Sequence, residues 1–129
     1  MISTDAFSYI NVLDKAADAS WKRENLIANN IANADTPGYK RQDIDFQSVL
    51  KKELGNYKYM NLDQKMESVR LSELNPEVYT DHGNYSYRLD GNNVDIDTEQ
   101  VELASEQIKY QALTQSITAE FLRLQAVMK

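Results

Sequence analysis

The chain has 129 residues, a length typical of one domain, with 42% hydrophobic residues, 26% charged residues and a formal net charge of -6. Its basic residues are scattered, and an acidic chain without a basic patch is not expected to bind nucleic acid. No run of about 18 apolar residues is present, so the sequence predicts no direct membrane insertion. The N-terminus has no basic region before an apolar block, so an ordinary cleaved secretory signal is not predicted.

A long helix is predicted for residues 1–36. Ser20 and Glu24 interrupt an otherwise apolar face, whose members recur with a helical period: Ala6, Ile10, Leu13, Ala16, Ala17, Ile27, Ile31 and Ala34. Because this face is narrow and rich in Ala, it favours a close contact with a second helix over a broad globular core.

The end of this helix is predicted from Thr36-Pro37-Gly38. A residue before proline avoids the α region, and Pro37 suits position i+1 of a β-turn. Gly38 supplies the positive φ that position i+2 of a type II turn requires. The sequence therefore predicts a turn at residues 35–39.

The middle segment, residues 37–96, has mixed patterns. One group of apolar residues predicts a short helix that ends at Gly55, namely Ile44, Phe46, Val49, Leu50 and Leu54. Alternating residues predict short strands, namely Tyr57 with Tyr59, and Tyr85 with Tyr87 and Leu89. We expect a small extended or β-containing segment that is partly mobile in the isolated chain.

A second long helix is predicted for residues 97–129. Asp97 and Gln100 fit the N-cap and N3 positions of a capping box, and Ile96 and Val101 fit a hydrophobic staple around it. Apolar residues then recur at spacings of three and four in two sets that differ in phase: Val101, Ala104 and Ile108, and then Tyr110, Leu113, Ile117, Phe121, Leu124 and Met128.

The predicted fold is mainly α. Residues 1–36 and 97–129 are expected to pair as a coiled-coil-like hairpin and to form one inner domain. One seam between two helices buries little apolar surface, and at about 25 cal/mol per Å² that burial scarcely offsets the entropy of ordering the chain. Leu103, Leu122 and Val127 also lie off the main stripe of the second helix. We therefore expect a partner to cover the apolar sides of the second helix that the first helix does not cover.

Catalytic chemistry has little support in the sequence. With one His and no Cys, His82 is the single candidate base, and it lies in a loop-like stretch typical of a solvated turn. Four dispersed glycines form no phosphate-binding loop. A calcium loop starting at Asp90 would place Val94 at a ligand position and Asp95 where glycine is required. We predict no enzyme activity, no cofactor and no metal site.

Three asparagines stand near the end of the first helix. On the helical wheel Asn29, Asn30 and Asn33 lie opposite Ile27 and Ile31. An amide both donates and accepts hydrogen bonds, so a face of small residues and amides can bind another backbone in a fixed register. Our hypothesis is that this face contacts a neighbouring subunit rather than its own chain.

Two blocks of the sequence carry motifs of a known family. The first, ANNIANADTPGYKR at residues 28–41, has an Asn-rich helix end followed by Thr-x-Gly-Tyr. The second, residues 90–129, contains DGNNVD, then Glu99, then YQAL at residues 110–113. The first block resembles the bacterial flagellar axial proteins, which comprise rod, hook and hook-associated proteins. The second is similar to rod proteins, most of all to the proximal rod. Together the blocks cover about two fifths of the chain.

The resemblance implies a structural subunit of the flagellar basal-body rod in the periplasm. In that family the terminal helices form the inner coiled-coil domain of a hollow helical tube that transmits torque. Subunits are exported unfolded by the flagellar type III apparatus without a cleaved signal peptide. The implied partners are copies of itself, other rod proteins, the adaptor between rod and MS ring, and the MS ring.

The residues predicted at assembly contacts come from both blocks. They are Asn29, Asn30, Asn33, Thr36, Pro37, Gly38, Tyr39, Asp90, Asn92, Asn93, Asp95, Tyr110, Leu113, Ile117, Phe121 and Leu124. Three other readings stay open at this point. The chain could be another flagellar rod protein, or a soluble helical adaptor or chaperone whose paired helices hold a partner helix in a groove. The third reading is an enzyme or metal protein that uses the Tyr- and Asp-rich middle.

Overall fold

The computed structural model describes residues 2–82 and 89–128. Its elements, in chain order, are α1 (Ile2–Ala32), β1 (Gln42–Asp43), α2 (Phe46–Gly55), α3 (Leu62–Ser68), a 3-10 turn (Leu71–Glu73), β2 (Tyr79–Thr80) and α4 (Ile96–Val127). The mainly α fold with two long paired terminal helices and a small β-containing middle is therefore confirmed. Within the described residues, no helix has the length and apolar character needed to cross a membrane.

The two long helices pack side by side and run in opposite directions. Asn30, near the end of α1, donates to Glu99 near the start of α4. At the other end, Phe7 of α1 lines a cavity with Phe121 and Leu124 from the end of α4. The helices have 31 and 32 residues, or about 45 Å at 1.5 Å per residue, so each spans nearly the whole length of the other.

Helix α1 is buried on two faces, of which the sequence predicted one. The predicted face includes Ile10, Ala17 and Ile27, all buried, and Ser20 on this face donates to the carbonyl of Glu106 in α4 at 3.5 Å. The second face packs against the middle segment in a core of Val12, Ala19, Ile44, Phe46 and Leu74. Leu26 adds partly buried surface to this core, and so does Ala16, which was predicted on the first face. The apolar residues of the middle segment thus cover a second side of α1.

The first apolar set predicted on α4 does not face α1. Val101 and Ile108 are 67% and 68% exposed, and Ala104 is exposed as well. Glu99 and Glu106 are buried instead. The phase shift noted in the sequence marks this change, because in the first half of α4 charged residues occupy the buried side.

The start of α4 also differs from the prediction. Asp95, not Asp97, is the N-cap, and its carboxylate accepts from the backbone amides of Asp97 and Thr98. Ile96 and Val101 are exposed, so the predicted hydrophobic staple is not a buried contact. The capping box fails because Asp95 already supplies the acceptor for the first free amides of the helix.

The short helix predicted to end at Gly55 is confirmed as α2, but the strands lie elsewhere. β1 pairs antiparallel with β2, with Gln42 opposite Thr80 and Asp43 opposite Tyr79. Tyr57 and Tyr59 lie in the connection after α2, and Leu89 lies in a turn. The hydroxyl of Tyr57 donates to the carbonyl of Ser68 at 2.9 Å, which fixes this side chain within the middle segment. Tyr85 and Tyr87 lie outside the described residues.

The predicted turn after α1 is confirmed. Gly38 has φ of +72°, and the amide of Tyr39 donates to the carbonyl of Thr36 at 3.2 Å, which closes a turn with Pro37 and Gly38 at its centre. A second glycine with positive φ, Gly91 at +78°, lies against it. A Cβ added to Gly91 would lie 3.8 Å from Cα of Gly38.

Alanine at Gly38 or at Gly91 should lower the free energy of unfolding by about 1–2 kcal/mol, because both need a left-handed backbone that a side chain disfavours. Gly55 is the matched control, since it closes α2 without positive φ and faces open space. Gly55→Ala should leave stability unchanged or raise it by up to about 1 kcal/mol. Urea unfolding of the three variants tests this, and equal losses at all three positions would contradict it.

Candidate assembly interface

Asn92 closes the C-terminal end of α1. Its amide nitrogen donates to the carbonyls of Asn33 at 2.9 Å, Ala34 at 3.0 Å and Thr36 at 2.9 Å. Its amide oxygen accepts from the backbone of Val94 at 2.8 Å, and the residue is 1% exposed. A helix end leaves carbonyls without partners inside the helix. Asn92, which the sequence placed at an assembly contact, is therefore used inside its own chain.

Asn30 is also buried within the chain. Its amide nitrogen donates to the carbonyl of Gln42 at 2.9 Å and to Glu99 at 3.3 Å. Its oxygen accepts from the hydroxyl of Tyr39 and from the amide of Gln42, both at 2.9 Å. With 0% exposure, Asn30 has no surface to offer a neighbour. The hypothesis that its amide contacts another subunit is wrong, because β1 covers this side of α1.

Asn29 and Asn33 lie nearer the surface. Asn29 is exposed and its side chain donates to the Tyr39 hydroxyl at 3.1 Å. Asn33 donates to the carbonyl of Asn29 at 2.8 Å and accepts from the hydroxyl of Thr36 at 3.1 Å. Thr36 and Pro37 are exposed too. Their contact with a neighbouring subunit stays a prediction.

The other residues of the DGNNVD motif also bind their own chain. Asn93 accepts from the amide of Arg41 at 2.9 Å and donates to the carbonyl of Asp81 at 2.8 Å. The carbonyl of Asp90 accepts from the amide of Gly38 at 2.7 Å, and Asp95 caps α4. The two sequence motifs, far apart in the chain, thus meet in one junction between α1, the turn and the start of α4.

A charged cluster beside this junction was missed by the sequence analysis. Arg23 of α1 forms ion pairs with Asp43 at 2.9 Å, Glu102 at 2.9 Å and Glu106 at 2.8 Å. Arg41 forms three more, with Glu99 at 2.6 Å, Asp43 at 3.2 Å and Asp81 at 3.4 Å. These two arginines and five carboxylates, here called the arginine network, join α1, β1 and α4.

The spacing of the glutamates was the signal available in the sequence. Glu99, Glu102 and Glu106 stand three and four residues apart, which places them on one face of α4. In the sequence alone this row of glutamates indicates a solvated charged surface, because nothing in it shows that arginines lie opposite. The turn and β1 bring Arg41 and Asp43 to it from the middle of the chain, and this placement depends on tertiary structure.

The network shifts the pKa of its members. Burial acts to raise the pKa of Asp43, but hydrogen bonds from Arg23, from the amide of Ile44 and from Arg41 outweigh it, so this pKa lies below its ordinary 3.8. Burial acts to lower the pKa of Arg23, and its bonds to Asp43, Glu106 and Glu102 raise it overall. Both shifts favour the charged forms in the folded chain.

Stability should therefore fall in acid. Because the folded-state pKa of Asp43 lies below its ordinary 3.8, the stabilisation is present above about pH 4 and is lost as the pH falls toward the lower folded value. Urea unfolding between pH 3 and pH 6 should show this loss in the wild type and a flatter profile in Asp43→Asn. Asp14→Asn, which alters an exposed carboxylate of α1 outside the network, is the control. A wild-type profile in Asp43→Asn would contradict the assignment.

The second half of α4 is apolar on more than one side. Tyr110, Leu113, Ile117 and Leu124 are half-buried. Phe121 is 52% exposed and lines a cavity of about 590 Å³ with Phe7, Leu124, Gln125 and Met128. On other sides of the helix Leu122 and Val127 are 59% and 62% exposed. The predicted apolar residues thus contact α1 in part and leave an apolar surface open.

The exposed part of α4 has an unusual charge pattern. Ten consecutive residues, 110–119, carry no charge. Val101 and Ile108 precede this run and Leu122 follows it, each more than half exposed. Charged residues are depleted at the centre of protein interfaces, whereas an exposed helix usually carries them on its solvent side. The candidate assembly surface is this outer face of α4, which consists of Val101, Ile108, Leu122 and the exposed residues of the uncharged run, namely Gln111, Ala112, Gln115, Ser116 and Thr118.

Comparisons with known proteins identify the family of this chain. Residues 10–40 match the model of a family described as flagella basal body rod protein. Three relatives are each named flagellar basal body rod protein FlgB. The relative from Bacillus subtilis strain 168 is 35% identical over 92% of both chains, and the relative from Proteus mirabilis strain HI4320 is 37% identical over 84% of both. The relative from Escherichia coli strain K12 is 30% identical over 84% of this chain and 83% of its own length. The resemblance found in the sequence is thus confirmed. With such identity over most of both chains, this chain belongs to the family of flagellar basal body rod proteins that includes FlgB.

Proposed function

We propose that this chain is a structural subunit of the flagellar basal-body rod, and that it joins the proximal rod by packing its terminal helices against those of neighbouring subunits. The observation that carries the proposal is the outer face of α4, which is uncharged over residues 110–119 and apolar at exposed Val101, Ile108 and Leu122. Burying such a face against other helices removes apolar surface from water without burying unpaired charge.

The geometry of the hairpin supports an axial assembly. Two antiparallel helices of nearly equal length form a rod-shaped unit, and copies stacked around a common axis would bury the outer face of each α4. The cavity beside Phe121 offers a further apolar contact at the far end of the hairpin. Contacts between different surfaces of identical subunits generate rings or helical tubes. A hollow tube that transmits torque is the form that we propose.

The proposed partners follow from the family. They are other copies of this chain, other rod proteins, the adaptor between the rod and the MS ring, and the MS ring. We further propose that the chain reaches the periplasmic rod through the flagellar export apparatus without a cleaved signal peptide. Asn29, Asn33, Thr36, Pro37 and Tyr39 form the surface at the end of α1 that we assign to one neighbour. The role is structural and needs no cofactor.

The reading as a soluble adaptor or chaperone is less well supported. The relatives described above are all named as rod proteins, and an exposed apolar helix face fits a permanent contact better than transient binding. The reading as an enzyme is likewise not favoured by those names.

The experiment places a charge on the outer face of α4. Leu122→Glu and Ile108→Glu should abolish swimming and hook-basal-body formation in a strain that lacks the native protein, because a carboxylate buried at the contact has no partner. Ser72→Glu adds the same charge at an exposed site of the middle segment and should support normal motility. Circular dichroism should show wild-type helicity in all three. Normal flagella with Leu122→Glu and Ile108→Glu would refute the proposal.

A further inference from the structure

A slot beside the arginine network contains an oxygen that lacks a donor. The slot measures about 290 Å³ and lies between α1, the start of α2, β2 and α4. Oε1 of Glu106, which lines it, has no hydrogen-bond partner among the described residues, although this side chain is 3% exposed. Lys109 Nζ lies 4.0 Å away, beyond hydrogen-bond distance. Because a buried carboxylate oxygen without a hydrogen bond is energetically costly, binding of a hydrogen-bond donor at this position is favoured.

The walls of the slot match one kind of side chain. Ala16, Ala19 and Phe46 provide apolar surface, and the carboxylates of Asp43, Asp45 and Glu106 stand beside them. Against these three negative charges the slot holds two positive ones, from Arg23 and Lys109, so one negative charge is left over. A lysine side chain has an apolar stem and one positive charge at its end, so it would fill the slot and neutralise it.

The chain itself carries such a lysine in an exposed segment. The tip, defined here as residues 58–62, comprises the end of the connection after α2 and the first residue of α3. It carries Lys58 beside Tyr59, which is 101% exposed, with Met60 at 41% and Leu62 at 56%. Around it, residues 51–65 contain four lysines and two acids, and one of these acids, Glu53, is already paired with Arg70 at 3.2 Å. In an acidic chain the tip is thus a basic, aromatic and exposed segment.

The tip cannot enter the slot of its own chain. Phe46, which lines the slot, begins α2, and the tip follows the opposite end of this ten-residue helix. The helix alone separates them by about 15 Å, which exceeds the reach of a lysine side chain. An occupant from the tip must therefore come from another molecule.

We infer that Lys58 of one copy inserts into the slot of a second copy, where its ammonium donates to Oε1 of Glu106. Tyr59 then packs on the rim of the slot against Tyr79, which is 47% exposed. The contact joins two different surfaces, so it continues from copy to copy rather than closing a symmetric pair. The inference rests on the proposed function, because it requires that copies of this chain associate.

Sedimentation of the full chain against concentration tests the contact. Lys58→Glu should weaken self-association at least tenfold, because it places a fourth carboxylate against an already negative slot, and Lys58→Arg should retain most of it. Lys52→Glu is the matched control, since Lys52 is an exposed lysine of α2 outside the tip. Equal association of the Lys58→Glu and Lys52→Glu proteins, which is the result expected if water alone fills the slot, would overturn the inference.

Cross-linking provides a second measurement, because the chain has no native cysteine. A mixture of the Lys58→Cys and Tyr79→Cys proteins should form a disulfide-linked pair under mild oxidation, as bridged residues need Cα atoms within about 7 Å. A mixture of Ser72→Cys and Tyr79→Cys should form far less. Similar yields from both mixtures would contradict the contact.

The two proposals fail differently. If the wild type stays monomeric at every concentration, self-assembly of the proposed subunit is refuted together with this contact. If the wild type associates and Leu122→Glu prevents it, while Lys58→Glu and the cross-linking mixtures behave like their controls, this contact alone is refuted.

Discussion

Replacement of Arg23 by Ala should lower the free energy of unfolding by about 3 kcal/mol, because breaking a buried ion pair leaves charge without compensation. Arg23 is the partner of Asp43, Glu102 and Glu106, and the side chains of Asp43 and Glu106 are 8% and 3% exposed. Without the guanidinium these carboxylates would repel each other between α1 and α4. The loss should appear as a lower urea midpoint with an unchanged slope.

Arg123→Ala is the control for this prediction. Arg123 pairs with Glu120 on the same helix and is 74% exposed, so its loss should change stability by less than about 1 kcal/mol. The loss of stability in Arg23→Lys should lie between those of Arg23→Ala and Arg123→Ala, because an ammonium cannot form the planar fork that reaches several carboxylates together. If Arg23→Ala and Arg123→Ala cost the same, the network does not hold the helices together.

Replacement of Asn92 by Ala should cost about 2–3 kcal/mol. The variant leaves the buried carbonyls of Asn33, Ala34 and Thr36 without their shared donor, and unmade buried hydrogen bonds cost about 1–3 kcal/mol. The same change removes the acceptor for the amide of Val94. Asn92→Asp should also destabilise, because a carboxylate cannot donate to carbonyl oxygens.

Asn75→Ala is the matched control for Asn92→Ala. Asn75 is exposed and accepts from Lys15 at 3.1 Å, so water can replace its hydrogen bonds. Its loss should cost less than about 1 kcal/mol. Hydrogen exchange at the last turn of α1 gives an independent measurement, since Asn92→Ala should speed exchange there while Asn75→Ala should not. Unchanged exchange in Asn92→Ala would show that this end of the helix does not depend on Asn92.

The Asn92→Ala variant bears on what the two motifs do in this chain. In this chain ANNIANADTPGYKR and DGNNVD meet in one junction, where Asn30 and Asn92 bind main-chain groups of distant segments. We therefore interpret both motifs first as fold-determining sequences that hold the end of α1, the turn and the start of α4 together. The surface left around Asn29 and Asn33 is what the junction can present to a neighbour.

The helices and the turn were predictable because their signals are local. The periodic apolar residues of α1 and α4 specify helices whatever they pack against. Pro37 and Gly38 specify the turn through their own backbone preferences, and the short helix ending at Gly55 was found in the same way. The strands were not predictable, because β1 and β2 have two residues each. Such short strands contain no alternating pattern long enough to recognise.

The side of α4 that meets α1 could not be predicted. Val101 and Ile108 look like core residues by their spacing, yet Glu99 and Glu106 take the buried positions because Arg23 and Arg41 arrive opposite them. The wheel correctly separated Asn30 from Ile27, but it could not show that β1 covers the amide. Both errors share one cause, which is that the partner of a helix face comes from a remote part of the chain.

The sequence by itself determined the two long helices, the short helix that ends at Gly55, the turn after α1 and the family, because periodicity, turn chemistry and the two motifs are properties of short stretches. Tertiary structure alone decided which polar residues are buried. A buried Asn or Glu is tolerated where a donor or an opposite charge meets it. Gln42 and Arg41 reach Asn30 and Glu99 through folding of the middle segment, and Arg23 reaches Glu106 through the pairing of α1 with α4. That is why Asn30 and Asn92 of the two motifs hold an internal junction, and why we propose the outer face of α4 as the surface for assembly.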